Sequence, residues 1–305
     1  MDLEVLLSER VVHMNAVIRR VCTSTRMVDW RKKLYCKLGL GSRWGDIRHN
    51  VIEVFPAYAP HSASSGGNER ERAQLTVQTI NRVLPSLEML CSSVLPPLAR
   101  VSIEEIPINA EDIDAIDELG RLFTYYGSDK AESHRLHYLY GSILKDAGAV
   151  TAILEIGIGT NNVDVVSNMG LNGQPGASLR AFRDFCPNSV VHGADIDNRI
   201  LINEGRISSF VVDQTDLESI NILSTKLLNE YDLIIDDGLH SIDANLATVC
   251  LGLKHLARDG RIVIEDIGDD AIPVWNVVTT ILSRSDYGCS LYKTPGMNVF
   301  VVERY

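Results

Sequence analysis

The nine residues Ala152-Ile153-Leu154-Glu155-Ile156-Gly157-Ile158-Gly159-Thr160 decide how this chain is read. Ala152–Ile156 has the length and apolar character of a buried strand, and the two glycines after it mark a tight turn. Glycine at such a turn lets a bound molecule approach the backbone without meeting a Cβ. Glycine-rich turns are common in α/β proteins, so this one takes its meaning from its surroundings. The dinucleotide fingerprint G-x-G-x-x-G would require glycine at position 162; Asn162 stands there, which weighs against a nicotinamide cofactor.

Downstream, apolar runs of strand length alternate with helical patterns. The expected strands are Val190–Ala194, Ser209–Val212, Leu233–Ile235 and Arg261–Ile264. Helices are expected over Ser178–Phe185, Leu217–Asn229 and Ile242–Leu256. Cys289–Lys293 and Met297–Glu303 read as a terminal hairpin turning at Pro295-Gly296. Alternation of this kind signals a parallel sheet with crossover helices. Five parallel strands followed by a hairpin suit the Rossmann-like α/β sheet of class I S-adenosylmethionine (SAM) methyltransferases better than a six-stranded dinucleotide sheet.

Upstream, the α/β character begins near Ile113. Residues 1–38 repeat apolar side chains at helical spacing (Val5, Leu6, Val12, Met14, Val17, Ile18, Val21), and 39–72 read as a loop-rich connector. A second amphipathic stretch, 75–95, stops before Pro96-Pro97. The expected division is a mainly helical accessory region over 1–105 and a catalytic α/β domain over 106–305. The accessory region carries no recognisable chemistry, and either a cap on the site or an oligomer interface fits it.

Bulk properties narrow the function. The net charge of -11 disfavours a nucleic-acid substrate, because phosphate binding needs a basic surface. The six cysteines (Cys22, Cys36, Cys91, Cys186, Cys250, Cys289) include no C-x-x-C pair, which points to reduced thiols rather than a zinc site or disulfide framework. The first residues, MDLEVLLSER, lack the apolar core of a signal peptide, and no run of about 18 apolar residues is present. A soluble, cytoplasmic protein without membrane contact is expected.

Three strand ends supply candidate cofactor contacts. Glu155, Gly157 and Gly159 lie at the first. Asp195, at the end of the second, is placed where an acid accepts ribose hydroxyls. Asp213 and Gln214, after the third, would border an adenine pocket. The next two strands end in acids: Asp236 and Asp237 in Tyr231–His240, Glu265 and Asp266 in Arg261–Ile267. Ligands of open α/β sheets bind at these carboxyl ends. Neighbouring strands lie about 4.8 Å apart, so Asp237, Glu265 and Asp266 are expected to share one cation. All-oxygen ligation suits Mg²⁺, Mn²⁺ or Ca²⁺ rather than zinc. A cation on a substrate hydroxyl lowers its pKa, which a neutral alcohol needs before it can attack a sulfonium methyl. His240, three residues past Asp237, has an ordinary pKa of about 6.5, suitable for a general base.

The segments LEIGIG (154–159), GASLRAFRDFCPNSVVHGADID (176–197), VVDQTD (211–216), YDLIIDDGLHS (231–241) and RIVIEDI (261–267) resemble those of metal-dependent SAM O-methyltransferases that tailor the sugars of macrolide and aminocoumarin antibiotics. Tyr126-Gly127-Ser128-Asp129-Lys130 resembles that family's (S/T)DK segment, followed by a tyrosine-bearing helix with Tyr138 and Tyr140. The likeness covers roughly 120–303. It implies metal ligation by Asp237, Glu265 and Asp266, His240 as base, and SAM contacts from Gly157, Asp195, Asp213, Ser128 and Lys130, with Asp236 beside them. It also implies a hydroxylated, sugar-containing small-molecule acceptor, Mg²⁺ or Mn²⁺, and homo-oligomers in some members. The loop NNVDVVSNMGLNGQPG (161–176) is longer than the family pattern. Rival readings are a tailoring protein related to cephalosporin hydroxylation, an NAD-dependent enzyme, and a non-catalytic binding partner on the same fold.

Overall fold

The computed structural model describes residues 51–61 and 69–305. The helix expected over residues 1–38 lies outside them. The chain divides into two compact units, Met1–Leu90 and Cys91–Tyr305. In the first, Pro56–Tyr58 forms a 3-10 turn and helix α1 begins; α1 spans Glu69–Ser92 and carries Pro85 within it.

The second unit is built on a nine-stranded mixed sheet. Its strands are β1 (Arg100–Ser102), β2 (Ala152–Ile156), β3 (Val190–Asp195), β4 (Asn203–Glu204), β5 (Ile207–Val211), β6 (Tyr231–Asp236), β7 (Leu256–Ile267), β8 (Tyr287–Thr294) and β9 (Met297–Arg304). Their spatial order is β1-β8-β9-β7-β6-β2-β3-β5-β4. The expected parallel set, β7-β6-β2-β3-β5, forms the middle, and β9 pairs antiparallel to both β7 and β8. From β2 the chain moves outward through β3 to β5, then returns to β6 on the other side. That reversal opens a crevice at the carboxyl ends of β2 and β6, where open α/β sheets bind ligands.

Helices α2 (Ala110–Tyr126), α3 (His137–Ile143) and α4 (Ala177–Phe185) contribute Leu119, Phe123, Leu139, Tyr140 and Phe182 to one buried cluster, with Ile153, Leu233, Ile235 and Val263 of the sheet. The opposite cluster joins Leu154, Ile156, Ile234, Ile262 and Ile264 to residues of α5 (Leu217–Ser224), α6 (Ile242–His255) and α7 (Ile272–Leu282). Alternate residues of one strand thus feed opposite faces, as the period of two demands, and both faces are covered. The same alternation places Glu155 inside the protein, fully buried.

The differences from expectation have local causes. Helix α5 ends five residues' pattern short of Asn229 because the chain turns at Thr225, whose Oγ1 donates to the Ile222 carbonyl. Strand β5 starts at Ile207, where the short β4 pairs with it, and β1 adds a parallel edge to β8. Helix α7 has no counterpart among the expected elements; it buries Trp275, whose ring lies 4.6 Å from that of Phe300. Among the described cysteines none is disulfide-bonded, and burial pushes the Cys186 thiol up to about 12.

Candidate active site

Helix α2 ends at Gly127, whose φ of +78° is the left-handed cap that glycine favours. The Ser128 N–H returns to the Phe123 carbonyl, closing the helix and turning the following segment back toward the sheet. Lys130 then enters the interior, where it is only 2% exposed. Its Nζ lies 2.7 Å from Asp237 Oδ2, 2.7 and 2.8 Å from the Glu265 oxygens, and 3.3 Å from Glu155 Oε1. Ser178 donates to the other Glu155 oxygen at 2.5 Å, and the Tyr140 hydroxyl donates to Glu265 Oε1 at 2.5 Å. One ammonium therefore ties the ends of β2, β6 and β7 together.

Electrostatics explains why each member tolerates burial. Desolvation alone would push a lysine toward its neutral form; Asp237, Glu265 and Glu155 override it and hold Lys130 well above its ordinary range. Burial raises the carboxyls of Glu155 and Glu265, with Lys130 opposing it. Burial, reinforced by Glu265, also raises Tyr140, so its hydroxyl stays a donor. Removing that donor in Tyr140→Phe is expected to cost about 1–3 kcal/mol, because a buried carboxylate loses a bond. A urea titration of the full chain checks the value.

Beside this buried core, Asp237, His240 and Asp266 each present a ligand atom within 4.8 Å of the others, all partly exposed. His240 Nε2 lies 3.4 Å from Asp266 Oδ2, and His240 Nδ1 is buried without a hydrogen-bond partner among the described residues. Burial raises the Asp266 carboxyl, with His240 acting against it. His240 and Asp266 both sit at φ +56°, a conformation that costs a side-chain-bearing residue energy and concentrates at functional sites. Of the acids expected to ligate a cation, Asp237 and Asp266 thus come together with His240. Glu265 is turned inward, with both oxygens on Lys130.

The glycine turn is shaped by the protein itself. Gly157 has φ +87°, and a Cβ there would lie 2.2 Å from the Asp237 carbonyl oxygen. The crossing of two backbones by itself requires glycine here, whatever ligand approaches the turn. Gly159, at φ +79°, is covered by the side chain of Met169 from the long loop. Asp195, at the end of β3, aims at this turn: its Oδ2 accepts from Ile158 N–H and its Oδ1 from Asp197 N–H. Burial raises its carboxyl against those bonds.

Other expected contacts have structural roles. Gln214 donates to Asp236 and to Thr248, and accepts from Leu239 N–H; Asp236 also accepts from Gly238 N–H and Asn245. These two side chains brace the turn that carries Asp237 and His240. Asp213 bonds the backbone and hydroxyl of Thr215, fixing its own turn. Ser128 accepts weakly from Lys130 N–H at 3.4 Å. Lys130, expected as a SAM contact, is instead the centre of the acid cluster.

Asp197 and Ser167 have roles that no sequence signal points to. Asp197 accepts from Arg199, from Asn162 and from Thr160, and these bonds, that of Arg199 foremost, hold its carboxyl well below the usual range. Asn162, at the position of the missing third glycine, therefore fastens the turn to the end of β3. Ser167 donates to the Gly238 carbonyl and pins the long loop to the Asp237 turn. Tyr140 was noted for its segment but not for its bond to Glu265.

The fold has a counterpart among solved structures. The MycE methyltransferase of the mycinamycin biosynthetic pathway, solved with Mg, SAH and mycinamycin VI, superposes with a TM-score of 0.51 over 61% of this chain and 54% of that one, at 23% identity. The fold is that of a class I methyltransferase. No protein-family model matches the chain. Among curated proteins, the mycinamicin VI 2''-O-methyltransferase of Micromonospora griseorubida is 34% identical over 93 residues, 30% of this chain and 23% of that one. The 8-demethyl-8-alpha-L-rhamnosyl tetracenomycin-C 2'-O-methyltransferase of Streptomyces olivaceus is 30% identical over 176 residues, 56% of this chain and 43% of that one. The chain thus spans less than half the length of these curated relatives. The resemblance read from the sequence is to the class of enzyme for which they are named.

Proposed function

We propose that this chain is a SAM- and divalent-metal-dependent O-methyltransferase acting on a hydroxyl of a sugar or glycosylated small molecule. The observation that carries the reading is the meeting of Asp237, His240 and Asp266 at the carboxyl ends of β6 and β7, with two of the three held at φ +56°. Arg135 and Asp259 adopt similar φ values outside the site, so the weight lies on the convergence of the three side chains where an open α/β sheet binds its ligands.

The residues fit both groups. Asp237 and Asp266 offer hard oxygen donors to a cation such as Mg²⁺ or Mn²⁺, with His240 beside them and Glu265 held behind by Lys130. Such a cation would lower the pKa of the acceptor hydroxyl, and SAM would supply the methyl as a sulfonium electrophile. Asp195 and the Gly157–Gly159 turn lie where a ribose diol is expected, with Asp213 toward the adenine side; Gln214 and Asp236 support the site indirectly. His240 takes the proton released by the acceptor, and Asp266 at 3.4 Å stabilises the imidazolium that results. The loop residue Met169 must yield for a ligand to rest on Gly159, which its flexible thioether permits. No helix of the described residues is long and apolar enough to cross a membrane, and the -11 net charge suits a small-molecule acceptor better than a nucleic acid.

Calorimetric titration of SAM into the full chain, with Mg²⁺ and with a chelated control, tests the reading. One saturable site per chain is expected, followed by methyl transfer in a screen of hydroxylated glycosides. Absence of both heat and thermal stabilisation would remove the proposal and favour a non-catalytic partner on the same fold.

A further inference from the structure

We infer that Lys130 is the resident cation of this site: it holds the acid cluster together without a metal and keeps the affinity for a divalent ion low enough for exchange. The inference rests on the metal-dependent reading above and concerns a residue for which the sequence suggested another role. Its basis is geometric. Lys130 Nζ contacts Glu155 of β2, Glu265 of β7 and Asp237, which directly follows β6, within 2.7–3.3 Å. Lysine is almost never fully buried unless paired, and here it faces more carboxylates than one ammonium can balance. Asp266 and His240 lie at the open side of the cluster, beside Asp237.

Asp237 belongs to both halves of the arrangement. Lys130 is the hydrogen-bond partner of its carboxylate among the described residues, through Oδ2. A divalent ion on Asp237 would share that carboxylate with the ammonium. Two effects then oppose each other. Lys130 fixes the Asp237 rotamer, which favours metal binding by the modest entropy of one short side chain. It also repels a doubly charged ion across one carboxylate, and at the effective dielectric of a protein interior this repulsion is several times larger. Repulsion wins, so removing the charge should tighten metal binding. A lysine that served only as a structural brace predicts the reverse, because the ligands would scatter on its loss.

The test uses the full chain after chelation, titrated with MgCl₂ and MnCl₂ alone in a calorimeter, for the unmodified protein, Lys130→Met and Lys130→Arg. Lys130→Met should bind the cations about tenfold or more tightly than the unmodified chain. Its melting temperature should depend on Mg²⁺ more strongly, while Lys130→Arg keeps the original affinity. Should Lys130→Met be unfolded in chelator, folding on addition of Mg²⁺ supports the inference. Failure to fold in millimolar Mg²⁺ overturns it. Equal or weaker binding by Lys130→Met overturns it as well, and leaves the methyltransferase reading standing where the unmodified chain binds metal. No binding by either protein removes both.

Discussion

Asp237→Asn is expected to lower kcat by about 10³-fold or more while leaving the fold intact. The substitution keeps size and shape but removes the charge of one carboxylate that meets His240 and Asp266 around a common point. A cation polarising a substrate oxygen is worth several kcal/mol in the transition state, and each 1.36 kcal/mol is tenfold in rate. Stability should change little, because Lys130 retains Glu265 and Glu155 as partners. Circular dichroism and a urea titration would establish the fold, and methyl transfer to the best acceptor would give the rate. Activity within tenfold of the unmodified chain would remove Asp237 from the machinery. The same substitution also separates metal binding from SAM binding. SAM affinity should persist, because the substitution leaves the Asp237 backbone against Gly157 unchanged and Asp195 still holds the glycine turn.

Gly157→Ala should cause the larger loss of stability, about 3 kcal/mol or more, seen as a fall of about 6–12 °C in Tm for a unit of this size. The left-handed conformation at φ +87° costs a residue with a Cβ about 1–2 kcal/mol. The new methyl would also lie 2.2 Å from the Asp237 carbonyl oxygen and 2.4 Å from Gly238 Cα, both backbone atoms that cannot rotate away. Relief requires the β2 and β6 turns to separate, which displaces Asp237. Activity should therefore fall with stability. Gly159→Ala provides the contrast. Its methyl meets the Met169 terminus, a flexible side chain, so about 1–2 kcal/mol of backbone strain is expected to dominate. Equal losses for the two variants would show that φ alone, rather than the crossing of backbones, decides the effect.

Much of the fold was present in local pattern. Ala152–Ile156, Val190–Asp195 and Tyr231–Asp236 are short apolar runs bounded by turn residues, and a run of that kind has few other destinations than a buried parallel strand. The hairpin was legible because Pro295-Gly296 interrupts two strand patterns. Strands β1 and β4, of three and two residues, are too short to carry a period, and only their pairing with β8 and β5 creates them. Helix α7 is apolar on most sides, so its sequence does not separate helix from strand.

For the site, the sequence by itself determined which acids end neighbouring strands, and it placed His240 on the same turn as Asp237. Chain direction and strand end suffice for that, because carboxyl ends of parallel strands converge on one edge. The choice among those acids was tertiary. Glu265 and Asp266 are adjacent in sequence, yet one points into the interior and the other to the open side, because β7 departs from regular pairing there: its register shifts between Ile264 and Ile267, and Asp266 takes a left-handed φ of +56°. Gln214 and Asp236 read as ligand contacts at their strand ends, and only the fold shows that they also brace each other. Lys130 meets Asp237 and Glu265 across 107 and 135 residues of chain, a separation at which no spacing rule operates. Local periodicity sets elements and their ends; only packing decides which buried charge finds which partner, because that depends on helices α2 and α3 closing over the sheet.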